Sequence, residues 1–182
     1  MFLRLKRHRT KSGREHVYAY IVKTKHTKNG PRQQVLKYLG KVNAYERISA
    51  STDTVTGEDF FQLVNAHIQR ELEAHGFKKE GSLCMRKEWV INVEKESVKE
   101  GGREAGIALN NGVLCKQTIK NLHKISGKRK KSHELGKILG KAVLEAGLQV
   151  TKEEFLRLYD VLTKQTSNND QQSSTMINNA KQ

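Results

Sequence analysis

Along the first forty residues apolar and polar positions alternate with the period of a strand, and turn residues break the alternation at regular intervals. Residues 2 to 7 read as one strand, ended by the turn Lys11-Ser12-Gly13. Residues 15 to 25 are rich in β-branched and aromatic side chains and read as a second strand. Its two faces separate cleanly: Val17, Ala19 and Ile21 on one, Tyr18, Tyr20 and Val22 on the other. Lys28-Asn29-Gly30-Pro31 is a strong turn, because Asn-Gly accepts positive φ and Pro31 fixes its own. Residues 32 to 39 make a third strand, ended by Gly40. These strands predict an antiparallel three-stranded meander in which one face packs on the body and the other presents tyrosines among basic side chains.

Past residue 55 the period changes to that of a helix. Thr56-Gly57-Glu58-Asp59 resembles a capping box, and Phe60, Phe61, Val64, Ile68 and Leu72 follow at helical spacing. A helix is expected over 57 to 75, stopped by Gly76. Residues 82 to 94, with Trp89, Val90, Ile91 and Val93, read as a strand with room for a preceding partner. After the turn Glu100-Gly101-Gly102, residues 104 to 109 form another short strand, and Asn110-Asn111-Gly112 turns the chain again. Val113 and Leu114 fit either a last pair of strand residues or the lead into a helix. Three helices follow: one over about 115 to 125, one capped by Ser132 and ended by Gly147, and one behind the full capping box Thr151-Lys152-Glu153-Glu154. Gly136 and Gly140 have small-xxx-small spacing and predict close approach of a neighbouring helix. The fold class is therefore α+β. It divides into a basic β-hairpin region (1–42), a linker (43–55), an α+β segment (56–114), a helical unit (115–164) and a disordered Asn/Gln/Ser-rich tail (165–182).

Charge changes this picture, because it is segregated. The formal net charge is +15. Residues 1 to 41 hold twelve Lys or Arg and one acid, Glu15, for a local +11. Lys116 to Lys131 holds seven basic residues and no acid, for +7, which leaves −3 for the rest. Solubility would be served by scattered charge; two concentrated blocks point to a polyphosphate partner.

Other chemistries find little support. Cys84 and Cys115 are far apart and no CxxC occurs, so two free core thiols are expected and no zinc site. The seven histidines form no HExxH, no metal or other cofactor is implied, and His67 and His75 read as boundary or solvent residues. Glu94, Glu96, Glu100 and Glu104 read as an acidic rim rather than a catalytic pair. Gly127-Lys128-Arg129-Lys130-Lys131-Ser132 lacks the phosphate-loop pattern. No apolar run is long enough to span a membrane, and the N-terminus has no signal-peptide core, so a cytoplasmic protein is expected.

The candidate contact residues are accordingly basic and aromatic. Arg4, Lys6, Arg7, Arg9, Lys11, Arg14, Lys23, Lys25, Lys28, Arg32 and Lys37 could reach phosphates or guanine edges from a two-stranded ribbon. Tyr18, Tyr20 and Tyr38 could stack on unpaired bases, and Lys128, Arg129, Lys130 and Lys131 form a basic inter-helix loop. The expectation is a non-enzymatic nucleic-acid-binding protein, with a DNA-binding accessory or regulatory factor favoured. The alternatives are a ribosome- or RNA-associated protein and an adaptor for an acidic protein.

One resemblance bears on this. Met1-Phe2-Leu3-Arg4, Ser12 to Tyr18 and Gly30-Pro31-Arg32-Gln33-Gln34-Val35-Leu36-Lys37-Tyr38-Leu39-Gly40 resemble the N-terminal β region of DDE-type insertion-sequence transposases. The resemblance implies a short β element that assists DNA binding ahead of a catalytic domain. It covers about a quarter of the chain. Residues 45 to 182 do not match the catalytic part and leave too little chain for an RNase H-like core, so it carries no transposase activity. That remainder resembles a prokaryotic protein.

Overall fold

A computed structural model describes residues 2–13, 15–49, 54–127 and 132–179, with side chains undescribed at 132 and from 166 onward. The architecture is α+β, with ten strands in two sheets and four helices among these residues. The meander consists of β1 (Phe2–Arg9), β2 (Glu15–Thr27) and β3 (Gly30–Ala44). Gly13 (φ +81°) closes the first turn, and the two-residue loop Lys28-Asn29 joins Thr27 to Gly30 in the second. Two irregularities leave Leu36 and Leu39 as extra residues on β3, one between the Val22↔Val35 and Ile21↔Lys37 pairs and one between Tyr20↔Tyr38 and Ala19↔Gly40.

Sheet A is larger than the meander. Beyond the second irregularity β3 runs parallel to β9 (Gly106–Leu109), which turns through Asn110-Asn111 into β10 (Gly112–Leu114). Gly40 permits this junction: its φ is +104°, and a Cβ there would stand 2.9 Å from the Glu104 carbonyl oxygen. Ala19, Leu39, Val42, Val113 and Cys115 form a small core on one side of the sheet. Val113 and Leu114 are thus strand, which settles the alternative left open by the sequence.

The main core lies elsewhere. Helix α1 (Phe60–Ala74) packs on sheet B, a meander of β4 (Lys78–Glu80), β5 (Leu83–Arg86), β6 (Trp89–Asn92), β7 (Ser97–Glu100) and β8 (Arg103–Glu104). The cap of α1 is Asp59, whose carboxylate accepts from the Gln62 N–H at 2.8 Å, while Gln62 reaches back to the Glu58 N–H. The helix therefore begins three residues later than the Thr56 box predicts, because Asp59 rather than Thr56 accepts from the first turn. Helices α2 (Lys116–His123), α3 (Ser132–Ala146) and α4 (Lys152–Asn179) complete the core. Gly136 and Gly140 face Tyr159 and Phe155 of α4 at 3.5 and 3.8 Å from their would-be Cβ positions, the close approach their spacing predicts. Helical backbone is described as far as Asn179.

The segment 43–55 is docked in its described part. Tyr45 meets Trp89 and Phe77 edge-on, with the Arg86 guanidinium 4.2 Å over its ring. The Ile48 N–H bonds the Ala74 carbonyl at 2.8 Å. Arg47 reaches Glu71, a carboxylate only 2% exposed, which also accepts from Asn110 Nδ2 and the Gln149 N–H. That one carboxylate ties the segment to α1, the β9–β10 turn and the α3–α4 connection.

Candidate nucleic-acid interface

Register assigns each predicted residue to a face. On β1 and β2, Arg4 stands opposite Tyr20, Lys6 opposite Tyr18 and His8 opposite His16. On β3, Lys41 stands opposite Tyr18 and Tyr38 opposite Tyr20. Directly opposed residues share a face, so one surface of sheet A carries Arg4, Lys6, His8, His16, Tyr18, Tyr20, Tyr38 and Lys41. Arg4 also donates to Gln33 on that surface. The Tyr38 ring lies 5.3 Å from that of Tyr20 and 6.1 Å from that of Tyr18, both tilted. Tyr38 is 53% exposed.

The opposite surface carries Leu3, Val17, Ala19 and Ile21, which pack with Val113 and Cys115, as the alternation on β2 predicts. Arg7 and Arg9 share this side, where Glu15 stands opposite Arg9 and pairs with Arg7 at 3.4 Å. They are separated from the tyrosines by the thickness of the sheet. Lys11 sits in the β1–β2 turn. Arg14 and Lys128, Arg129, Lys130 and Lys131 lie outside the described residues.

Beyond Val22 and Val35 the strand β1 has ended, and β2 and β3 continue as a two-stranded arm exposed on every residue but Gly30. Lys23, Lys25 and Arg32 share one side of it; Thr24, His26, Pro31 and Gln33 share the other, and Lys28 is at the tip. Lys25 stands directly opposite Arg32. Like charges so placed repel, and no acid occurs between Glu15 and Glu46 to relieve them.

Near the base of the arm one lysine of each basic block acts on the same acid, Glu104. Lys37 follows on the same side as Arg32, and β3 crosses Glu104 at Gly40. Glu104 pairs with Lys116 of α2 at 2.9 Å and stands opposite Lys99. Its carboxyl is held below the usual range, first by the Lys116 hydrogen bond and then by the fields of Lys116, Lys37 and Lys99. Charge counting shows both blocks but not this junction, since only the β3–β9 pairing creates it.

Two of the other acids expected to form a rim have local partners. Glu100 accepts from Asn43 at 2.7 Å and Glu96 contacts His123 Nδ1 at 3.2 Å, with Asn65 on the other ring nitrogen. His67 and His75 are buried, at 3% and 1% exposure, not boundary residues. His67 falls on the core side of α1, beside the Arg70–Glu154 ion pair, and His75 caps the C-terminus of α1, where its Nδ1 bonds the Glu71 carbonyl. Their polar rings mask a core position when hydropathy alone is read. Cys84 and Cys115 are free and buried, with burial pushing the Cys84 thiol up to about 11. No cluster of metal-ligating side chains occurs among the described residues, and no described helix is long and apolar enough to cross a membrane. No known protein family, curated protein or solved structure matches the chain.

Proposed function

We propose that the chain is a non-enzymatic nucleic-acid-binding protein, a cytoplasmic DNA-binding accessory or regulatory factor whose arm lies against the phosphates of a duplex. The observation that carries this reading is the arm itself: an exposed two-stranded ribbon with Lys23, Lys25 and Arg32 on one side and no acid to neutralise them. A ribbon of this kind fits a major groove, and cations held against their own repulsion gain most from a polyanion. The continuation through Lys37 to Lys116 supplies a longer path for the backbone. The non-enzymatic part of the reading rests on the sequence, in which no catalytic acid pair and no Ser/His/Asp or Cys/His arrangement stands out.

The test is binding to a labelled DNA duplex across a salt series. Affinity should fall with salt at a log–log slope near −0.9 for each phosphate contacted. Reversal of Lys23, Lys25 and Arg32 to Glu should weaken binding and flatten that slope. An unchanged slope would remove the arm from the interface, and no binding at low salt would end the reading.

A further inference from the structure

We infer that the tyrosine face of sheet A takes single-stranded nucleic acid, with one base stacked on each of Tyr18, Tyr20 and Tyr38 and the phosphates on Arg4, Lys6 and Lys41. The inference rests on the nucleic-acid reading above and specifies the ligand of a different surface from the arm.

Cross-strand aromatic pairs stabilise sheets wherever they occur, so the rings alone prove nothing. Their position is the argument. The surface turned to the small core carries Val17, Ala19 and Ile21, and the tyrosines occupy the other one. Tyr38, at the centre of the group and in contact with both partners, is 53% exposed. Val35, opposite Val22 on the same surface, is exposed as well, at 58%. A cluster of large apolar groups left in water calls for a ligand with an apolar face.

The cations around the rings select the ligand's class. Arg4 and Lys6 flank Tyr20 and Tyr18 from β1, and Lys41 flanks Tyr18 from β3. Aromatic faces bordered by cations suit a strand whose bases are unpaired. In a duplex those base faces are covered by neighbouring pairs. The Tyr38 phenol is pushed up by partial burial and by the two adjacent tyrosines.

The experiment compares a fluorescein-labelled thymidine oligonucleotide with a hairpin duplex, read by anisotropy over a salt series. Tyr38→Val keeps a strand-forming residue and removes the ring. It should lower single-strand affinity roughly tenfold with an unchanged salt slope, because no phosphate contact is lost. Duplex affinity should stay within twofold, and Tyr38→Phe should retain single-strand binding. Equal single-strand affinity in Tyr38→Val would overturn the inference and leave the arm reading standing. Loss of all binding by the wild type would overturn both. Photocrosslinking of the wild type to a bromouracil-substituted strand gives an answer even if the variants misfold. Adducts at Tyr18, Tyr20 or Tyr38 support the inference, and adducts confined to residues 23–34 sink it.

Discussion

His67 Nδ1 lies 3.3 Å from the Arg70 guanidinium and can accept from it only while unprotonated at that nitrogen. Burial, the largest cause, lowers its pKa from 6.5 to about 4. The unfolded chain therefore takes up a proton over a range where the folded chain does not. Stability from this group is complete above pH 6.5 and is lost as pH falls towards 4, by an amount on the order of 3 kcal/mol. Glu154 adds a second, more acidic step. The Arg70 hydrogen bond draws its carboxyl from 4.5 down to about 2, so its contribution disappears across that interval. Urea midpoints measured between pH 7 and 4 should decline in the wild type, and His67→Gln should flatten that decline. Gly147 is constrained more tightly still. A Cβ there would meet the Leu109 carbonyl oxygen at 2.1 Å, and one on Gly112 would meet the Gly147 nitrogen at 2.2 Å. Neither obstacle is a side chain that could swing aside. Gly147→Ala and Gly112→Ala should each cost more than about 3 kcal/mol in chemical denaturation, since backbone must move to admit a methyl group. By contrast Gly13→Ala, with nothing within 4 Å of its would-be Cβ, should cost only the strain of its positive φ.

At the scale of elements, punctuation governs. Gly76 and Gly147 end α1 and α3 in the left-handed conformation, with the Phe77 N–H returning to the Leu72 carbonyl and the Leu148 N–H to that of Val143. These stops, and the turns at Asn29-Gly30 and Asn110-Asn111-Gly112, are legible in the sequence because each depends on a few adjacent residues. The start of α1 was legible only to within three residues, since two overlapping capping patterns compete there. Asp59→Ala should cost about 1 kcal/mol, seen as a fall of a few degrees in Tm, whereas Thr56→Ala should have little effect on the helix. The arm is an element with few ties to the body. Replacing Thr24–Gln33 by Asn-Gly keeps the Lys23↔Gln34 pair and the rest of the sheet. Its Tm should stay within a few degrees of wild type while duplex affinity falls at least tenfold. A large drop in Tm would mean the arm supports the fold rather than a ligand.

For the whole molecule, the informative contacts join residues far apart in the chain. The strand periods of β1 to β3 and the two basic blocks can be read locally. The meeting of Lys37 with Lys116 around Glu104 cannot, nor can the burial of Glu71 by Arg47, Asn110 and Gln149, because each waits on three or more elements closing together. The side of the sheet on which Arg7 and Arg9 fall follows from period two, but which side the body covers is fixed only by Val113 and Cys115. Glu104 sits amid Lys37, Lys99 and Lys116 in this junction. Glu104→Gln should therefore raise nucleic-acid affinity several-fold at low salt, an advantage that shrinks as salt screens the site. The same junction bears on assembly in time. The chain leaves sheet A after Ala44 and returns beside it at Gly106, so the two parallel strands wait for some sixty intervening residues to be made and gathered. Hairpins between near neighbours close in microseconds, far faster than such a distant pairing. During synthesis the cationic ribbon is thus poised to form first, with its apolar underside bare until Val113 arrives, and a polyanion encountered in that interval would meet the proposed binding element before the body that braces it exists.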